Sequence, residues 1–166
     1  MSFPERYDTP VLRVRIALIA ESFARLLGRP LVAPGCDAVE ALWIAPEAIV
    51  AHGTGADPAF FFANRVALAA FDADLDRFLG MPSRLSAEAS ARGERQALLD
   101  RVTRDGFIAD YAGVRVTLDG RRFRIADATV WNLIDADGQA HGQAAAFAPP
   151  LKDARRAEVS RAVGKL

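Results

Sequence analysis

The stretch His52-Gly-Thr-Gly-Ala-Asp-Pro-Ala-Phe-Phe-Phe-Ala-Asn-Arg65 (HGTGADPAFFFANR) sets the architecture. Ile49 and Val50 lead into His52 as a short apolar strand. Gly53 and Gly55 then free the backbone for a tight turn, Thr54 lies between them, and Asp57 before Pro58 has the chemistry of a bend, its carboxylate accepting backbone amides. Phe60 to Ala63 reads as the returning strand. Asn64 falls where that strand passes into a helix from Val66 to Phe71, so the fourteen residues encode a hairpin followed by a helix.

Upstream, Thr9-Pro10 is a helix start: Thr caps free amides, and Pro at the first helical position forfeits no hydrogen bond. Leu12, Ile16, Ile19, Phe23 and Leu26 recur at intervals of three and four, predicting a helix that ends at Gly28 to Pro30. Val11, Val14 and Leu18 widen its apolar arc, which suits either a core helix or a helix that also pairs with a second subunit through residues 11–27. Asp37 with Glu40 has the form of a capping box for a short helix over Ala38 to Ala45, with Trp43 as a core anchor. Residues 1–9 are polar and expected to be loose.

Downstream, Asp74 to Leu79 predicts another helical turn or two. The loop PSRLSAE (82–88) then enters a helix that Gly106 stops, with Ser86 or Ser90 as candidate caps and a narrow apolar edge of Leu98, Leu99 and Val102. From Phe107 the period changes to two. Val114, Val116 and Leu118 alternate with Arg115 and Thr117, and Asp119-Gly120 turns the chain into a long strand from Arg121 to Ile134. Its odd positions, Phe123 through Leu133, read as the core side. Asp137-Gly138 turns again into a strand over Gln139 to Phe147, with His141, Gln143, Ala145 and Phe147 on one face. Pro149-Pro150 ends the sheet, and a charged tail follows over 149–166.

A chain of 166 residues is most simply one domain. Equal numbers of basic and acidic side chains, 21 each, remove the long-range pull toward phosphate that nucleic-acid binders show. One cysteine and two histidines cannot close a four-ligand zinc site or form an internal disulfide, which fits a reducing cytoplasm. Arg13, Arg15 and Glu21 interrupt the N-terminal apolar run, so neither a signal peptide nor a membrane span is expected. No nucleophile motif, phosphate loop or metal constellation is present, and no catalytic residue or cofactor is assigned.

The element order, helices, two strands, a helical segment and a three-stranded meander, is that of an α+β PAS-like domain. Such a domain is a five-stranded antiparallel sheet with helices on one face, here with an N-terminal helical extension. The runs HGTGADPAFFFANR (52–65), PSRLSAE (82–88), GFIADYAGVR (106–115), GRRFRIADATVWNLIDADG (120–138) and HGQAAAF (141–147) closely resemble the bacterial MEKHLA domain proteins, over roughly residues 10–148. That family is PAS-like and related to the C-terminal domain of plant class III homeodomain-leucine zipper factors. The literal string that names it is absent, as are homeodomain and zipper, so DNA binding does not carry over. The resemblance implies a stand-alone sensory or interaction module.

Matching the family's motifs residue by residue gives His52, Asn64, Arg84, Tyr111, Arg115, Trp131, His141 and Gln143 as candidate ligand contacts. Gly53, Thr54, Asp57, Ser86, Asp110 and Asn132 are candidate structural positions. Arg84 is expected either to clamp an anion or to pin its loop to a carboxylate such as Asp110. Gln143 both donates and accepts, and Trp131 reads either as an apolar wall beside it or as a core-packing residue. The reactive Cys of light-sensing relatives has no counterpart, since Cys36 precedes the first strand. The expected function is small-molecule sensing, with a ligand-free dimerisation module as the alternative. A small NTF2-like enzyme, with a His and an Asp as acid and base, is a third reading.

Overall fold

The computed structural model describes residues 2–150; the charged tail expected beyond Pro150 lies outside the described residues. Its helices are α1 (Pro10–Leu27), α2 (Ala38–Ile44), α3 (Arg65–Phe71), α4 (Leu75–Phe78) and α5 (Arg92–Asp105). Its strands are β1 (Ala48–His52), β2 (Phe60–Ala63), β3 (Phe107–Val116), β4 (Arg122–Ile134) and β5 (Ala140–Phe147). They form one antiparallel sheet in the order β2-β1-β5-β4-β3, so the first hairpin joins the meander through the β1–β5 pair.

Local chemistry sets the helix ends where the sequence places them. Thr9 Oγ1 accepts from the Leu12 amide, and Gly28 closes α1 in the left-handed conformation. Asp37 accepts from the amides of Val39 and Glu40. α5 differs: it starts after Ala91 with no side-chain cap, so Ser86 does not cap it, and the side chain of the other candidate, Ser90, lies outside what the structure describes. Ser86 instead donates to the Ser83 carbonyl.

Both faces of the sheet are covered. α1 lies on one, where Trp131 is fully buried against Phe23 and donates through Nε1 to the Ile19 carbonyl. α5 lies on the other, where Leu98 and Val102 pack with Ile108 and Val130. The period-two reading of β4 therefore holds only in part. Asp127 has φ of 51° and forms a bulge, so the pairing steps from Tyr111↔Ala128 to Gly113↔Ile125 with one extra residue on β4. Ile125, an odd position, consequently shares the α5 side with the even positions Ala128 and Val130. Trp131, expected beside Gln143, faces α1 instead.

The first residues are also better fixed than their polarity suggests. Tyr7 is fully buried, and its hydroxyl donates to the Ala63 carbonyl and accepts the Ala63 amide. That exchange ties the N-terminus to the outer strand β2.

Candidate functional site

Between the sheet and α5 lies a cavity of about 50 Å³, room for on the order of four waters. Its walls are mostly apolar, with Phe60, Phe71, Leu98, Ile125, Val130 and Phe147 among them. Set into them are His52 from β1, Gln143 from β5, Tyr111 and Arg115 from β3, and Arg95 from α5. Pairing places His52 opposite Gln143 and Gln143 opposite Asn132, so these three form one row across β1, β5 and β4.

His52 is held in one tautomer. Its Nδ1 lies 2.8 Å from the Gly53 carbonyl, which only accepts, so Nδ1 carries the proton and Nε2 offers a lone pair. Nε2 is buried and has no partner among the described residues. Gly142 fixes the same backbone: at φ of 135°, a Cβ there would fall 1.9 Å from the His52 carbonyl oxygen, so only glycine lets β5 come this close.

Burial holds the His52 pKa below its ordinary value, opposed by the Gly53 bond and assisted by the Arg95 charge. The folded state therefore takes up fewer protons at His52 than the unfolded chain does. No penalty exists while both states are neutral; it begins as pH falls through about 6.5 and grows until the folded pKa is reached. Stability should decline between about pH 7.5 and about pH 5.5, and His52→Asn, which retains a donor toward Gly53, should reduce that decline. Chemical denaturation at the two pH values measures it; an unchanged decline in the variant contradicts the assignment.

Arg95 is the residue that sequence reading missed. It is only 8% exposed, and burial, with the nearby Arg115 charge, pulls its pKa down to about 10, so it stays protonated at neutral pH. No hydrogen-bond or ion-pair partner is found for its guanidinium among the described residues, and no Asp or Glu is among the cavity walls. Spacing could have revealed it: Arg95 precedes Leu98 by three and Val102 by seven, which puts it on the apolar edge of α5. Arg115, half-buried, is more occupied, donating to the Tyr111 hydroxyl at 2.9 Å and to the Val114 carbonyl.

The remaining candidates divide. Gln143 lines the cavity, but its amide nitrogen is 3.1 Å from each of the Leu99 carbonyl, Thr103 Oγ1 and Asn132 Oδ1, so its donor end fastens α5 to the sheet. Asn132 does the same through the Val102 carbonyl. Four candidate ligand contacts lie elsewhere. Trp131 faces α1. Asn64 is fully buried at the start of α3. Arg84 pairs with Asp57 in two contacts of 3.0 and 3.4 Å, so the carboxylate that pins its loop is Asp57 and not Asp110. His141 contacts Asp135 at 2.7 Å at the start of β5, where that strand carries an irregularity. Asp57 thus serves as the partner of Arg84 instead of gathering turn amides, while Thr54 and Asp110 are exposed.

The cavity can therefore present one buried cation and one imidazole acceptor to a small guest. Cys36 is exposed beside α2, away from this cavity. Among the described residues no cluster of three or more His, Cys, Asp or Glu is placed to hold a metal, and no helix is long and apolar enough to cross a membrane.

Comparison with known proteins agrees with this geometry. The PAS domain of a Colwellia psychrerythraea protein superposes with a TM-score of 0.58 at 13% identity, covering 66% of this chain and 91% of that one. The dark structure of the blue-light photoreceptor Aureochrome1 LOV gives 0.53 at 20% identity, covering 83% and 100%. An RNA-binding Light-Oxygen-Voltage receptor gives 0.56 at 17% identity, covering 76% of this chain and 35% of that one. At these identities the likeness establishes the fold. No curated protein matches the sequence. The MEKHLA domain model matches residues 14–149, nearly the whole of the described chain, and with its PAS-like sheet the protein is a member of the MEKHLA domain family.

Proposed function

We propose that this chain is a cytoplasmic small-molecule sensing module whose ligand enters the cavity between the sheet and α5 and whose output is the packing of α1. The observation that carries the reading is the pairing, in one cavity, of a buried imidazole nitrogen without a partner and an Arg95 guanidinium for which no hydrogen bond or ion pair is found among the described residues. Buried polar groups cost free energy unless something satisfies them, and a guest that does so binds the folded state preferentially.

β4 supplies the connection to α1. Asn132 is bonded to α5 on one face, while the adjacent Trp131 is bonded to α1 on the other, and Ser22 of α1 exchanges hydrogen bonds with Ile134. A ligand with different affinities for two placements of α5 would thereby bias two placements of α1. α1 also carries Val11 and Val14, 79% and 75% exposed, which favours the homodimer through residues 11–27.

The small enclosed volume favours a second reading, a dimerisation module whose interior is filled by its own side chains. Thermal unfolding across a metabolite library separates the two. Sensing predicts that at least one compound raises the midpoint, with a gain that grows as its concentration passes the Kd; no shift with any compound contradicts it. Light scattering at micromolar concentration should show a dimer that Val14→Asp converts to monomer; monomer alone in the parent chain would refute the interface.

A further inference from the structure

Resting on that sensing reading, we infer that the ligand is a small monocarboxylate of about four to six heavy atoms, the size the cavity admits, held through its carboxylate by Arg95. A guanidinium presents parallel N–H donors that match the two oxygens of a carboxylate, so one side chain both neutralises and orients the guest. Arg95 has no such partner among the described residues, although it is more than nine-tenths buried.

The surroundings select among anions. One buried guanidinium balances one negative charge, and the second cation, Arg115, already donates to Tyr111 and Val114. Phosphate carries close to two charges and a tetrahedral hydration shell, which this single cation and the flanking Leu98, Ile125 and Val130 do not replace. A monocarboxylate instead offers one charge and a short apolar or hydroxylated body. His52 Nε2, a lone pair without a partner, is suited to a hydroxyl on that body.

The test uses the full-length protein and neutral analogues that differ only in charge. Acetate, propionate, lactate and pyruvate are titrated against acetamide, propionamide, lactamide and pyruvamide in thermal unfolding at matched ionic strength, with sodium phosphate and sodium chloride alongside. At least one acid is expected to raise the midpoint in a saturable way while its amide does not. Arg95→Met should abolish that gain, and it should raise the midpoint of the ligand-free protein by removing an unpaired buried charge. Arg95→Lys keeps the charge without the fork and should retain the preference for acid over amide, with affinity reduced roughly ten- to hundred-fold. Equal shifts with acid and amide overturn the carboxylate and leave the sensing reading standing, as does a neutral library compound that stabilises when none of the acids does. A phosphate gain matching the best acid overturns the choice of anion. No gain from any acid, amide or library compound overturns both.

Discussion

Asn64→Ala should destabilise the protein by about 3–5 kcal/mol and lower its unfolding midpoint by roughly 10 °C or more. Asn64 is fully buried, and its side chain joins three parts of the chain. Oδ1 accepts the amides of Ile49 in β1 and Ala67 in α3, at 3.0 and 2.9 Å. Nδ2 donates to the carbonyls of Leu42 and Glu47 at 3.2 and 2.8 Å, closing the link from α2 to β1. Loss of an N-cap alone costs about 1 kcal/mol, and each buried group left unsatisfied adds about 1–3 kcal/mol. The large total reflects several stranded partners together. Asn64→Asp separates the two ends, since it keeps the acceptor that caps α3 but turns a carboxylate toward carbonyl oxygens. It should be as damaging as alanine, and an Asp variant near parent stability would refute the role given to Nδ2.

Trp131→Ala should cost about 3–5 kcal/mol, the range for deleting a large aromatic from a closed core. The indole is fully buried, meets Phe23 edge-on with ring centroids 5.0 Å apart, and donates to the Ile19 carbonyl at 3.1 Å. Its removal opens a void between α1 and the sheet that helix backbone cannot fill. Because the cavity lies on the opposite face, Trp131→Phe removes no direct ligand contact but loosens α1, and through the coupling along β4 the affinity for a stabilising compound should change with it, which equilibrium denaturation and ligand titration read separately. An affinity unchanged in that variant would contradict the coupling of the cavity to α1.

These two residues also show what the sequence discloses and what it hides. Asn64 is legible because strand, polar cap and helix follow one another along the chain, and the bond geometry is local. Trp131 is misplaced by sequence because its orientation depends on a bulge. Strict alternation predicts one face for Phe123 through Leu133, but Asp127 adopts positive φ and reverses the parity midway. An Asp among alternating residues carries little signal of that kind, since its φ is decided by the register against β3. Arg95 was hidden for a different reason. A charged residue on a helix with three apolar positions reads as solvent-facing by composition, and only the three- and seven-residue spacing to Leu98 and Val102 betrays that it turns inward. His52 and Gln143 both line the cavity from their strand positions, whereas Arg84 and His141 share the same motifs yet end in local pairs with Asp57 and Asp135.

The central claim is that a small molecule enters beside His52, and the two histidines allow a direct measurement. Untagged protein with labelled histidine gives two imidazole signals, one from His52 in the cavity and one from His141 at the start of β5, assigned through His141→Gln. Titration with the compound that stabilises the fold should shift the His52 signal saturably, with the midpoint of the thermal titration, and leave His141 in place. A shift confined to His141, or a stabilising compound that moves neither signal, would contradict the account.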